Sequence, residues 1–486
     1  MTRALIALAL SAAAAVAAAD PAFDAVFVDR TLRVDYVHVG DASSESATLD
    51  QLYEQGAWAG STTSVIDELN LGRYMVKVYD LATNRLIFSK GFDSYFGEYR
   101  TTSAALAGAR RAYHETVLMP MPRGKVQFTL EARDRSLVFR RFFDIVIDPA
   151  AIEVNREGPR GDAEALTFLD SGDPHQKVDI LFVAEGYTGA DRAKFKGDAE
   201  RLTKLMFAQE PYKSRRALFN VRGIYKASAD RGCDEPSHGS YKRTVVGSSF
   251  DSLGVYRYLL VEDNRALRDL AAHAPYDALY ILVNTARYGG GGIYNWYCTT
   301  TSNNQYTDYV FLHEFGHSFA GLADEYYAST TAYNEFYPRG SEPLEANITA
   351  LLNPPKVKWS TLLSPGIQVP TRWEKADFDK MDSEYQKVRE EVQQKIAALK
   401  RAGGGPALEK LEAESERMAA DHAKKVDEYL AASKYAGKVG VFEGAGYSSG
   451  GLYRPSVDCI MFSKGVKPFC PVCQAAIVRV IESYAR

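Results

Sequence analysis

His313 and His317 stand four residues apart in the run at 307–327, TDYVFLHEFGHSFAGLADEYY. On an α-helix that spacing puts both imidazoles on one face, close enough to share one ion, with Glu314 one residue round from them. The motif therefore demands a helix, for which Asp308 is the expected cap and residues 309–312 the apolar beginning. Only 8 His occur in the 486 residues, and two of them fall here.

A zinc ion held for catalysis takes three protein ligands and keeps a position open for water. Asp324 and Glu325 are the nearest carboxylates, but in an unbroken helix Asp324 would lie about 10 Å along the axis from His317, at about 1.5 Å per residue. The chain must turn back, and Gly321 is where it can, as a left-handed residue just past the helix end. Asp324 is the preferred third ligand and Glu325 its rival. Glu314 is expected to take a proton from an attacking water and pass it to a leaving amine. Tyr326 or Tyr327 is near enough to donate a hydrogen bond to a tetrahedral oxyanion.

The chain around this motif changes its grammar at residues 157–163, EGPRGDA, the expected linker. Before it, residues 31–39, 73–79 and 125–131 read as strands rich in β-branched and aromatic residues, which predicts a β-sandwich over residues 20–150. Short helices are expected within it at 51–58 and 104–114, and His38 and His114 stand singly. Beyond the linker, apolar runs at 178–184 and 276–283 suit buried strands, and helices are expected at 191–209 and 255–272, giving a mixed α/β sheet. The Gly-rich segment 287–297, RYGGGGIYNWY, reads either as an edge strand able to pair with an extended peptide or as a flexible loop. Two apolar helical stripes flank Gly403-Gly404-Gly405-Pro406 and predict an antiparallel helical hairpin over 374–433, with His422 at one of its seam positions.

Residues 1–19 carry one early cation, Arg3, then an apolar run ending in three Ala before Asp20. That is the pattern of a signal peptide cleaved after Ala19, and no other run of about 18 apolar residues follows, so the expectation is a soluble protein exported to the periplasm or medium, with no membrane insertion. A net charge of −4, from 58 Lys+Arg and 62 Asp+Glu, offers no basic field for nucleic acid. Of the 5 Cys, Cys459, Cys470 and Cys473 cluster in DCIMFSKGVKPFCPVC while Cys233 and Cys298 stand alone. With no second CxxC to complete a four-sulfur site, a local disulfide within the trio is expected in an oxidising compartment.

The strings KVDILFVAEGYT, YGGGGIYN, HEFGHSFAGLADEY and CIMFSKG with FCPVC, in that order, resemble the IgA peptidase family of bacterial zinc metalloproteases, the igalysins. The resemblance covers most of the chain beyond the leader, including its β-rich N-terminal part. It implies an α+β protein: the N-terminal β-sandwich followed by a zincin-like, metzincin-type α/β catalytic domain over 160–486 that the hairpin interrupts. It further implies one catalytic Zn2+ at His313 and His317, with Met461 in a Met-turn beneath it, and leaves the third ligand between Asp324, the preferred one, and Glu325. The chain departs from the metzincin string HExxHxxGxxH: Gly321 comes four residues after His317 rather than three, and Asp324 replaces the third His at the expected distance from the Gly. The expected function is an exported zinc-dependent endopeptidase acting on protein or peptide substrates, immunoglobulin A being implied by the family name alone. The alternatives are a module that binds host glycoprotein or cell wall around a structural zinc site, and a metal-dependent peptidoglycan amidase.

Overall fold

The computed structural model describes residues 22–159, 161–327, 337–338 and 340–485. The leader expected at residues 1–19 lies outside the described residues. Two four-stranded sheets make the N-terminal part. One runs in the order Arg111–Pro122, Phe27–Gly40, Glu45–Gln55, Val154–Asn155, and the other Arg85–Phe92, Tyr74–Asp80, Val126–Arg133, Phe139–Ile147. Period-two alternation turns Val34 and Tyr36 of the first sheet and Val76, Val78, Phe128 and Leu130 of the second into one shared core. His38 is buried there between two carboxylates, Nδ1 at 2.8 Å from Glu115 and Nε2 at 3.1 Å from Glu45, so this isolated His is an internal ion-pair partner.

Two helices expected in this part are strands instead. Residues 51–55 belong to Glu45–Gln55, which pairs antiparallel along Phe27–Gly40, and ladder pairing overrides the helical preference of its Leu, Gln and Glu. At 104–114 only one helical turn, Ser103–Leu106, precedes the strand Arg111–Pro122.

A six-stranded sheet carries the rest of the fold, in the order Gly290–Ile293, Tyr297–Thr301, Ala278–Val283, Val178–Glu185, Phe219–Tyr225, Glu164–Leu169. Its four inner strands are parallel and both outer ones antiparallel. Every residue of Val178–Glu185 is buried, residues 180–184 as an apolar run and Asp179 and Glu185 as acceptors of hydrogen bonds from Arg222 and from the backbone of Val246 and Ser248. Its alternate side chains feed two cores. Val178, Ile180, Phe182 and Ala184 pack on the helix side, with residues of Arg192–Met206, Thr307–Ala320 and Pro471–Tyr484, while Leu181 and Val183 join the core of the N-terminal sheets. Helices therefore cover one face of the sheet, and the β part packs toward the other. The helix expected at 255–272 is confined to Asn264–Ala271, because Leu260–Val261 pairs with Ser248–Ser249 and the backbone of 257–259 lies against Gly290.

The hairpin forms as expected, from Lys375–Arg401 and Pro406–Ala431, joined through Gly403, Gly404 and Gly405 at φ of 98, 77 and 110°. It is held at both ends. Phe378, Val426 and Leu430 are buried in the helix-side core, and at the tip Arg401 Nη1 donates to the Ser237 carbonyl at 2.5 Å. His422 stacks on Tyr385 with ring centroids 3.7 Å apart and contacts Asp382 at 2.9 Å, a pairing inside the hairpin. Among the described residues no helix is long and apolar enough to cross a membrane.

Two substitutions test this layering. Phe182→Ala removes a fully buried ring from the helix-side core and should cost about 3–5 kcal/mol in denaturant unfolding. Gly197→Ala, exposed within Arg192–Met206 with nothing near the added methyl, should instead stabilise by about 1 kcal/mol.

Candidate metal centre

The helix Thr307–Ala320 lies between the sheet and Pro471–Tyr484, and nearly all its residues are buried. Asp308 is not its cap. Asn304 and Thr307 exchange hydrogen bonds, Asn304 N to Thr307 Oγ1 and Thr307 N to the Asn304 carbonyl, each 3.0 Å, and the helix starts at Thr307, two residues earlier than a cap at Asp308 would give. Asp308 is left in the first turn, paired with Arg201 on the surface. The other end behaves as expected: Gly321 is left-handed at φ 57° and ψ 35°, and Leu322 N donates back to the Gly316 carbonyl at 3.2 Å.

That reversal brings Asp324 beneath the two histidines. His313 Nε2 and His317 Nε2 are 3.1 Å apart, and Asp324 Oδ1 is 2.9 and 3.2 Å from them. Each ring directs its Nδ1 at a carbonyl that only accepts, His313 at Ile460 O (3.0 Å) and His317 at Leu322 O (2.6 Å). Nδ1 is thereby the protonated nitrogen, and both Nε2 lone pairs point inward. Asp324 Oδ1 is buried without a hydrogen-bond donor, while Oδ2 accepts from the Tyr447 hydroxyl. Three lone pairs thus converge, an arrangement that fits a cation and little else. The same groups favour a positive charge at this spot, whether a proton or an ion. Burial raises the Asp324 carboxyl, but His317 and His313 prevail and hold it well below the usual range. Burial lowers His317, and Asp324 prevails to lift it to about 9.

Glu325, the rival ligand, faces away. Its Oε1 lies 3.1 Å from Asn347 Nδ2 and 3.2 Å from Cys473 Sγ, on the far side of the loop. Adjacent residues in an extended segment project oppositely, so the loop can deliver only one of the two carboxylates to the histidines.

Glu314 lines the same cleft as His313 and His317. Burial raises its carboxyl above the ordinary value, with His313 and His317 opposing. Tyr326 stacks on His313 with centroids 6.2 Å apart, and its oxygen accepts from Arg257 Nη2 at 2.9 Å. Burial keeps the Tyr326 phenol protonated far above neutral pH despite Arg257. Met461 is fully buried under the helix, its sulfur 3.0 Å from where a Cβ on Gly316 would stand. Sequence reading missed Arg257 and Tyr447. Both are single polar residues far along the chain, with no spacing to mark them.

The Gly-rich segment is an edge strand over Gly290–Ile293. A Cβ on Gly292 would sit 2.5 Å from the Glu314 carbonyl and 3.0 Å from His317 Cβ, so only glycine lets the strand lie this close to the helix. The outer side of Gly290 is already paired, its N–H to Arg257 O at 3.4 Å and its carbonyl to Leu259 N at 3.2 Å. Gly292, two residues on, turns the same side toward a cleft of about 790 Å3. Arg73, Arg100 and Arg133 of the N-terminal sheets and their connections line the same cleft as the histidines.

Two family models match the chain: IgA Peptidase M64 over residues 166–481 and Peptidase M64 N-terminus over residues 22–144. Among curated proteins nothing matches. The first match spans the six-stranded sheet, the histidine helix and the cysteine-rich end, and the second the N-terminal sheets. The alternative of a binding module without catalysis gives way to these matches. The chain belongs to the IgA peptidase M64 family and is a metal-dependent peptidase that hydrolyses peptide bonds in protein or peptide substrates.

Proposed function

We propose that the chain is a zinc-dependent endopeptidase of metzincin type, in which His313, His317 and Asp324 hold one catalytic Zn2+ and Glu314 is the general base. The observation that carries this reading is the convergence of two Nε2 lone pairs and the donorless Asp324 Oδ1 within 3.2 Å of one another. Two imidazoles and a carboxylate form the donor set that suits zinc with one position left open. An ion there supplies Lewis acidity, acidifying water toward a pKa of about 7 and polarising a substrate carbonyl.

The remaining steps belong to the chain's own side chains. An extended substrate pairs with the open side of Gly292 and is drawn across the cleft, its scissile carbonyl toward the histidines. Glu314, with its raised carboxyl, accepts a proton from the attacking water and returns it to the leaving amine. Tyr326, held by Arg257 and still protonated, donates to the tetrahedral oxyanion. Met461 occupies the place of a Met-turn under the ligand helix. The family name points to immunoglobulin A as the protein to try first. Residues 1–19 direct export.

Glu314→Gln should lower kcat by about 10²–10⁴-fold while zinc content, measured by plasma mass spectrometry, stays unchanged; undiminished cleavage would refute the base assignment. Tyr326→Phe should lower kcat by about 10²-fold with KM nearly constant, and an effect on KM alone would make Tyr326 a binding residue. Incubated with immunoglobulin A, casein and peptidoglycan, the enzyme should cut protein; release of peptidoglycan fragments alone would favour an amidase. N-terminal sequencing of exported protein should begin at Asp20.

A further inference from the structure

Behind the histidine centre, on the opposite side of the 321–327 loop, lies a second set of metal-ligating groups. The local disulfide expected among Cys459, Cys470 and Cys473 is not formed; all three are free thiols. They are brought together with a partner that no CxxC count reveals, Glu325, and the four ligand atoms lie within 4.8 Å of one another. We propose that Glu325, Cys459, Cys470 and Cys473 bind a second, structural zinc ion.

The geometry is that of a closed thiolate-rich site. An ion bound tetrahedrally by sulfur at about 2.3 Å keeps its sulfurs about 3.8 Å apart. Cys459 Sγ and Cys473 Sγ are 3.9 Å apart, and Cys473 Sγ is 3.2 Å from Glu325 Oε1. All four residues are at most 5% exposed, so no position is left for substrate. The sulfurs carry the outer contacts that zinc thiolates use: Cys470 N donates to Cys459 Sγ at 3.2 Å and Cys473 N to Cys470 Sγ at 3.5 Å, where Cys470 caps the helix Pro471–Tyr484.

Glu325 supplies the independent observation. It is completely buried, and its Oε2 has no hydrogen-bond partner. Asn347 satisfies Oε1 only. Arg454, the buried cation acting on Glu325, gives its Nη1 to the carbonyls of Glu443 and Gly444 and its Nη2 to that of Val457, and its Nε is left unpartnered. An unpartnered buried carboxyl oxygen beside three enclosed thiols is the donor set of a closed cation site, and a disulfide between two of the thiols would remove its sulfur ligands.

The second ion would brace the first. Glu325 follows Asp324 directly and its N–H donates to the Met461 carbonyl at 2.8 Å; Ile460, between Cys459 and Met461, holds His313 Nδ1. One ion thus ties together the loop that carries the third ligand, the turn under the helix and the start of Pro471–Tyr484. This bracing role rests on the proposed catalytic centre, whereas the second site itself does not.

The test is metal content of the full mature chain after dialysis, with cobalt reconstitution. Wild type should hold about two zinc ions per chain, and His313→Ala/His317→Ala one. The cobalt form of that double variant should keep an intense thiolate-to-cobalt charge-transfer band, which Cys473→Ser should weaken while dropping one ion. The double variant keeps the test decisive even where Cys473→Ser fails to fold. One ion in the wild type with none in the double variant would overturn the proposal, as would a disulfide within the trio in non-reducing peptide mapping. A single wild-type ion retained by the double variant would uphold the cysteine site and overturn the catalytic one.

Discussion

The Asp324 carboxylate reaches two imidazole nitrogens at 2.9 and 3.2 Å only because the helix that carries them ends left-handed at Gly321. Had the helix continued, the acid would sit about two turns away along the axis. With the reversal, the triangle of His313, His317 and Asp324, the Tyr326 ring over His313 and the opposed direction of Glu325 all follow from one backbone conformation. The same loop divides two chemistries, with histidines and cleft on one side and cysteines enclosed on the other.

Positioning comes from layers around that loop. The helix is fixed against the sheet by side chains such as Phe182 and Tyr280, which also makes the Gly290–Ile293 edge its immediate neighbour. The glycines of that edge permit contact with Glu314 and His317, and the pairing of Gly290 with residues 257 and 259 and of the Tyr294 carbonyl with Asp93 N at 2.8 Å limits its open side to Gly292. The N-terminal sheets pack on the opposite core and contribute arginines to the cleft, so the part without catalytic groups still shapes what can enter. The hairpin, anchored at base and tip, closes a smaller cavity of about 110 Å3 between Tyr385 and His422 on one side and His313 and Glu314 on the other.

Legibility followed the range of the interaction. Motifs set by local periodicity were readable: the two strands at 178–184 and 276–283, the hairpin with its Gly-Gly-Gly turn, the His pair, the Gly321 reversal. Elements set by pairing were not. Residues 51–55 carry helical composition yet lie in a ladder with Phe27–Gly40, and Asp308 looks like a cap yet lies inside the first turn of a helix that begins at Thr307. The cysteine trio was misread for the same reason, since its fourth partner stands well over a hundred residues upstream.

By itself the sequence determined the helix of the His pair, the need for a turn after it and the candidate acids, because i,i+4 spacing and glycine's access to positive φ are properties of a few neighbouring residues. Tertiary structure alone decided which of Asp324 and Glu325 faces the histidines, which carbonyls set their tautomers, and that Tyr447 and Arg257 belong to the site. Those outcomes depend on where Ile460, Asn347 and Cys473 are packed, and packing across such distances in the chain leaves no periodic trace in it.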